Sequence, residues 1–459
     1  MPAEQRLLWA PWAWVGGRWR ERVLLAVGAD GHWAGVTPDA PRPEAAELLA
    51  GPVLPGLVDA HSHAFQRAFV GLAERRAGGA DGRGNDDFWS WREQMYGVAL
   101  GIGPDELRRV ATGLYRELLA GGYTQVCEFH YLQHAPDGQP YGDPLALSWA
   151  LADAAEATGI GLTLLPVLYE RAGFAQPALR DDQRRFRMSA HEVWTRAEAI
   201  AAARRPNVNT GLAVHSLRAA RPESLLTLRQ HAEDFDGPIH IHVAEQTAEV
   251  DDCLAATGQR PIQWLAAQGL LDARWQLVHA THAEPAEIEA VAASGAGIVV
   301  CPGTEANLGD GIPDLPRWLD AGVPLSVGSD SQVTRDWPGE LRWLEYAQRW
   351  VRRQRNVCAA PGQPSPAERL FERARAGGGA AAGFRTWGLE TAARADLLVL
   401  DMADSALRGM APVRLLDGVV FATPTRPFAR VMVAGRWVPG AEASRQGAAA
   451  PGAADRSRP

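Results

Sequence analysis

The residues best able to do chemistry in this chain are histidines and acids that close apolar runs. Val58-Asp-Ala-His61-Ser-His63-Ala-Phe-Gln66 follows the run Val53–Val58 and places two imidazoles at i and i+2. Residues two apart on a strand project to the same face, so both rings can address one point, as two ligands of one metal ion do. Further along, Glu128 and His130, His215, His242 with Glu245, His279 with His282, and Asp330 in Ser-Asp-Ser all stand at the ends of apolar runs. Taken singly, each has a plain structural use as a hydrogen-bonding residue at a strand end. Taken together, they supply neutral imidazoles and carboxylates, the donors of a zinc-type site and of proton transfer.

Something must hold these ends together. Eight apolar runs are rich in Val, Ile and Leu, as strands buried on both faces are. They are 53–63, 123–130, 160–169, 209–217, 238–245, 275–281, 296–302 and 323–330. Helical segments separate them: 104–120, with Pro and two acids in its first turn and Gly121-Gly122 as its stop, then 144–158, 222–232, 246–256 with 261–268, and 285–294. Strands alternating with helices predict an α/β chain, a (β/α)8 TIM barrel, whose chemistry sits at the C-terminal strand ends. Two long connections, 65–103 and 331–366, are expected to shape that face.

Short strands are expected at both ends of the chain: 12–19, 22–27 and 32–36 before the barrel, and 395–401, 418–422 and 430–438 after it. Val15-Gly-Gly-Arg-Trp19 and Val433-Ala-Gly-Arg-Trp437 share a hairpin-like phrase. The two ends are therefore expected to build one small β-sandwich-like domain. The expected organisation is 1–52 and 391–440 for that domain, 53–390 for the barrel, and a disordered tail, 441–459, rich in Ala, Gly, Ser and Pro.

Composition narrows the function. The 459 residues carry a formal net charge of −8, and no dense basic stripe appears, so a nucleic-acid partner is not expected. All 46 basic residues are arginines. The absence of lysine excludes a Schiff-base lysine, a P-loop lysine and a carbamylated lysine bridging two metals. Four scattered cysteines, Cys127, Cys253, Cys301 and Cys358, form neither a disulfide framework nor a zinc ribbon and suit a reducing cytoplasm. No signal-peptide pattern opens the chain, and no apolar run reaches the ~20 residues of a membrane span.

His61-Ser-His63, His242-Val-Ala-Glu245, His279 and Gly328-Ser-Asp330 resemble the amidohydrolase superfamily. Arg394-Ala-Asp-Leu-Leu-Val-Leu-Asp401 and Val431-Met-Val-Ala-Gly-Arg-Trp437 are similar to its C-terminal β-domain. Longer stretches resemble the formimidoylglutamate deiminase family within it: His61–Ala68, Phe88–Tyr96, Glu128–Tyr131, His215–Arg218, His240–Gln246, Val278–His282 and Thr304–Asp310. Cys301-Pro-Gly-Thr304 departs from the family's pattern.

The resemblance implies one divalent metal ion per chain, Zn2+ or else Fe2+, held by His61, His63, His242 and Asp330. It implies Glu245, His279 and Asp330 as catalytic groups, and Gln66, Arg92, Tyr131, His215 and Arg218 as the residues that bind substrate. That substrate would be N-formimino-L-glutamate, an intermediate of histidine degradation, whose two carboxylates suit the planar fork of arginine. A homodimer acting on a small molecule, with no membrane partner, is expected. His130, His240 and His282 are expected to be structural. Taken alone, Arg92 is equally a solvated helix charge, and Tyr131 and Gln66 are equally packing residues. Two other functions stay open: a deaminase acting on a purine, pyrimidine or triazine ring, and a non-catalytic assembly protein of the same fold.

Overall fold

The computed structural model describes residues 6–75, 87–424 and 426–439; the disordered tail expected at 441–459 lies outside the described residues. Eight parallel strand positions form the barrel. They are Leu57–Ser62, Tyr123–His130, Gly161–Leu168, the interrupted pair Val208–Thr210 and Leu212–Val214, Ile239–Val243, Trp275–His279, Gly297–Val300 and Leu325–Val327. Each pairs with the next in parallel. A parallel bridge between Ser62 and Asp330 closes the ring. At this closure Asp330 N–H donates to His61 O at 2.9 Å, and His63 N–H donates to Asp330 O at 3.1 Å. The seam that shuts the barrel thus registers three expected site residues against one another. Gly328 makes the approach possible, because a Cβ there would lie 2.7–2.9 Å from His61 atoms.

The helix Pro104–Ala120 has the expected bounds and buries Leu107, Ala111, Leu114, Leu118 and Leu119 on one stripe. Among the described residues no helix is long and apolar enough to cross a membrane. The second sheet has eight strands, five of them from before the barrel and three from after it. Its tie to the barrel is local in sequence. Val53–Leu54 pairs with Arg6–Val15 and with Leu397–Leu400, whereas Leu57–Ser62 enters the barrel. The run 53–63 is therefore two strands in two sheets, and Pro55-Gly56 is the joint, since Pro cannot donate to a ladder.

Three other expectations change. The strand expected at 12–19 is a hairpin, Arg6–Val15 with Arg18–Val27, turning at Gly16-Gly17 with φ of +60° and +74°. The segment 418–422 belongs to a helix, Leu415–Phe421, which buries Leu415, Leu416, Val419 and Val420 at helical rather than alternating spacing. The connections 65–103 and 331–366 contain the helices Phe88–Ala99 and Trp337–Arg352. Asp87 caps the first through Trp89 N and Ser90 N, and Asp336 caps the second through Gly339 N.

Candidate active site

His61 and His63 leave the first barrel strand on one side, and their Nε2 atoms lie 3.5 and 3.4 Å from Asp330 Oδ1. His242, from the fifth strand, brings its Nε2 to 3.0 Å from His61 Nε2. The far sides of two of these rings are tied to backbone carbonyls: His63 Nδ1 to Phe129 O at 3.0 Å, and His242 Nδ1 to His215 O at 2.9 Å. A carbonyl accepts only from N–H, so both rings carry their proton on Nδ1 and offer an Nε2 lone pair inward. Burial, and for His61 and His242 the neighbouring imidazoles too, pushes all three pKa values down, keeping the rings neutral. Facing lone pairs at these distances repel unless a proton or cation lies between them. The donor set, three imidazole nitrogens and one carboxylate oxygen, fits a borderline divalent ion. Ligand atoms of His61, His63 and His242 lie within 4.8 Å of one another, as do those of His61, His279 and Asp330.

Beside this cluster stands an acid–base group. His279 ends the sixth strand, with its Nε2 3.8 Å from Glu245 Oε1 and 3.7 Å from Asp330 Oδ2. Burial opposes its charge, but Glu245, Glu305 and Asp330 outweigh that and raise it to about 10. Glu245 is pushed up to about 7, chiefly by burial, with His279 pulling the other way. The turn that aims Glu245 is held by Glu249, whose two oxygens accept from Ala244 N and Glu245 N at 3.3 and 3.2 Å. Ala244, His279, Ala280 and Asp330 all have φ between +49° and +70°. Left-handed backbone at non-glycine residues is costly and collects at functional sites. Here it recurs at three strand ends.

Every expected site residue except the fully buried His61 lines one cavity: His63, Gln66, Arg92, Tyr131, His215, Arg218, His242, Glu245, His279 and Asp330. Gln66 Nε2 donates to the Tyr131 hydroxyl at 3.1 Å, while Gln66 Oε1 is buried without a partner. Arg92 projects from the helix Phe88–Ala99 into the cavity and is no freely solvated charge; its Nε is buried without a partner. The Arg92 guanidinium lies 4.5 Å from the Trp89 ring centroid, and that of Arg218 lies 5.1 Å from the same ring. Neither makes an ion pair among the described residues. Of the remaining histidines, His240 Nε2 meets Ala381 O at 2.8 Å and His282 Nε2 meets Asp310 O at 2.9 Å, both structural contacts. His130 is buried and held down to about 3 by desolvation. A larger groove of about 300 Å³ between Ile312, Trp343 and Trp350 is lined by Glu305 but by none of the histidines.

Sequence reasoning passed over Trp89, Glu249 and Glu305. Trp89 and Glu305 lie inside stretches whose resemblance is stated above, where only Arg92 received a role. Glu249 follows Glu245 by one helical turn, and that spacing is the signal that could have found it.

The chain belongs to the amidohydrolase family: the profile described as "Amidohydrolase family" matches residues 53–438. It is 46% identical over 424 residues to the formimidoylglutamate deiminase of Pseudomonas aeruginosa, a match covering 92% of this chain and 91% of that protein. The crystal structure of an amidohydrolase from Brucella melitensis superposes with a TM-score of 0.88 at 39% identity, covering 95% of this chain and 96% of that one. An adenosine deaminase from Xanthomonas campestris with bound zinc superposes at 0.75 with 24% identity, covering 94% and 92%, a likeness of fold alone.

Proposed function

We propose that this protein is a metal-dependent deiminase that hydrolyses N-formimino-L-glutamate to N-formyl-L-glutamate and ammonia. The observation that carries the proposal is the pair Arg92 and Arg218. Two guanidiniums pack on one indole with no carboxylate to pair them among the described residues, and both line the cavity that also holds the histidine cluster. A dicarboxylate substrate supplies the missing charges, and a neutral ring supplies none. The 46% identity to a formimidoylglutamate deiminase supports the same substrate.

His61, His63, His242 and Asp330 would hold the metal ion, with zinc the best match to three imidazoles and a carboxylate. When bound, such an ion lowers the pKa of a water and polarises the bond under attack. The reaction joins the water oxygen to the amidine carbon and breaks the bond from that carbon to its terminal nitrogen, which leaves as ammonia. His279, held charged by the carboxylates around it, orients the water, and Asp330 takes its proton. Glu245, with a pKa near the operating range, carries a proton to the departing nitrogen. Arg92 and Arg218 hold the two carboxylates. The Tyr131 hydroxyl can donate to one of them, because it accepts from Gln66 and keeps its own proton free. His215, a neutral ring packed on Tyr169 with centroids 4.4 Å apart, walls the amidine.

A cytoplasmic location and a homodimer complete the proposal; the four buried free thiols suit a reducing compartment. Ammonia release measured from N-formimino-L-glutamate beside purine, pyrimidine and triazine amines tests the substrate. Turnover is expected only with formiminoglutamate. Faster turnover of a ring amine would overturn the proposal.

A further inference from the structure

The seventh barrel strand ends in a short helix, Pro302–Leu308, and this helix turns one carboxylate back toward the strand ends. Glu305 N–H donates to Cys301 O at 2.9 Å, and Cys301 N–H donates to Glu305 Oε1, also at 2.9 Å. The first bond is backbone to backbone; the second ties the side chain back to the start of the helix. Glu305 is 3% exposed and, among the described residues, meets no arginine within ion-pair distance. A buried carboxylate without a cation nearby is costly unless a hydrogen-bonded partner balances it. Its partner is His279: Glu305 Oε1 lies 3.2 Å from His279 Nδ1.

Two further contacts set the His279 ring. It stacks on His242 with centroids 5.6 Å apart and planes 14° from parallel, which limits its tilt. Its backbone has a φ of +70°, outside the strand region that the preceding residues occupy. A 180° turn about Cβ–Cγ would put Cδ2 and Cε1 where Nδ1 and Nε2 stand, so that neither Glu305 nor Glu245 and Asp330 would meet a nitrogen. Glu305 meets Nδ1 at hydrogen-bond distance, 3.2 Å, whereas Glu245 and Asp330 stand farther from Nε2, at 3.8 and 3.7 Å. We propose that Glu305 is a positioning residue: its carboxylate holds the Nδ1–H of His279, so that Nε2 is the nitrogen presented to Glu245 and Asp330. Glu305 does not line up with the reacting atoms itself and acts only through His279. The inference rests on the deiminase function proposed above, in which His279 orients the attacking water.

Glutamine is an informative replacement. Cys301 N–H selects the amide oxygen at the Oε1 position, so Glu305→Gln keeps an acceptor facing His279 Nδ1 while losing the charge. Alanine removes the acceptor altogether. Loss of such an orienting partner costs roughly 10–100-fold in activity in comparable histidine pairs.

The test is a double-mutant cycle with metal analysis and low-field proton NMR on the full metal-loaded chain. Glu305→Ala is expected to lower kcat about 10–100-fold, with KM within about threefold and metal content as in the wild type. Glu305→Gln is expected to recover most of kcat. In a His279→Gln background, measured over long incubations, Glu305→Ala is expected to cost less than about twofold more, because coupled residues are not additive. A downfield Nδ1–H resonance should be present in the wild type and Glu305→Gln, and absent from Glu305→Ala and His279→Gln. An undiminished loss in the His279→Gln background, or a resonance unchanged by Glu305→Ala, would overturn the positioning role. A wild-type protein that releases no ammonia from formiminoglutamate would instead sink the proposed function, and the resonance would still decide the Glu305–His279 contact.

Discussion

Replacing Arg218 by methionine separates the two uses a buried cation can have, holding the fold and holding the substrate. Arg218 is 7% exposed, its guanidinium packs on Trp89 at 5.1 Å, and it makes no ion pair among the described residues. Glu245 and Glu249 feel its charge without touching it. Methionine fills a similar volume and removes an unpaired buried charge, which favours the free protein. The lost cation–π contact, about 0.5–2 kcal/mol, works in the opposite direction. The two nearly cancel, and Tm should stay within about 3 °C of the wild type. Catalysis should behave differently. A charge-assisted hydrogen bond contributes ~1.5–3 kcal/mol, so kcat/KM for formiminoglutamate should fall about 10- to 150-fold. Part of the loss can appear in kcat, because remote binding energy also positions the reacting group. Slow turnover of a neutral formamidine without carboxylates should barely change. Arg92→Met, whose native guanidinium packs on the same indole at 4.5 Å, should follow the same pattern. Steady-state kinetics on both substrates and calorimetry on both variants make the comparison. An equal loss on both substrates, with a drop in stability of the ~3–5 kcal/mol that breaking a buried pair costs, would show that the arginines are structural.

Glu245→Gln keeps the shape of the side chain but cannot carry a proton, so kcat should fall by roughly 10²–10⁴ while metal content stays unchanged; retention of most activity would move the role elsewhere. Elemental analysis should find about one zinc or iron per chain, since a second ion would need a bridge that a lysine-free chain does not offer; a stoichiometry near two, with activity depending on both, contradicts this. Removing the metal with a chelator should lower Tm, and titrating zinc back should raise it in a concentration-dependent way, because an ion bound only by the folded state stabilises it. Glu128 is buried at the second strand's end, accepting from Ser62 Oγ and Ala64 N, and burial raises it from 4.5 to about 8. A carboxyl whose folded pKa is raised contributes stability below its unfolded value, and that contribution is lost as pH rises through the folded value. Tm of Glu128→Gln relative to the wild type should therefore climb between about pH 4.5 and pH 8 and level off above, measured by thermal melts across that window; a difference that is flat with pH would show that Glu128 is ionised in the folded protein.

The barrel was legible because its signal repeats. Runs such as Tyr123–His130 and Trp275–His279 are continuously apolar between helices with Pro starts and Gly stops, and each ends in a chemically useful residue. The gathering of His61, His63, His242 and Asp330 was legible for a related reason. A parallel barrel gathers its strand ends, so residues far apart in sequence share one face once the strands are placed. Legibility failed where tertiary pairing decides. Val53–Leu54 and Leu57–Ser62 look like one run because both are apolar, and only the partner strands assign them to different sheets. Leu415–Phe421 contains a β-like Gly-Val-Val-Phe stretch that packing against neighbouring helices makes helical. Glu305 escaped notice because a carboxylate on a short helix carries no sign of which imidazole it will meet. Trp89 reads as one more aromatic until two guanidiniums are seen on its ring.

The amidine carbon of N-formimino-L-glutamate carries two nitrogens, and the bond that breaks defines the enzyme. Proton NMR of a complete reaction, with ammonia assayed in the same tube, reports that bond directly. If the arginines hold the glutamate end while Glu245 protonates the terminal nitrogen, each ammonia released should match one formyl proton of N-formyl-L-glutamate. Free L-glutamate with formamide in place of those products, or no turnover of formiminoglutamate beside ready deamination of a ring amine, would contradict it.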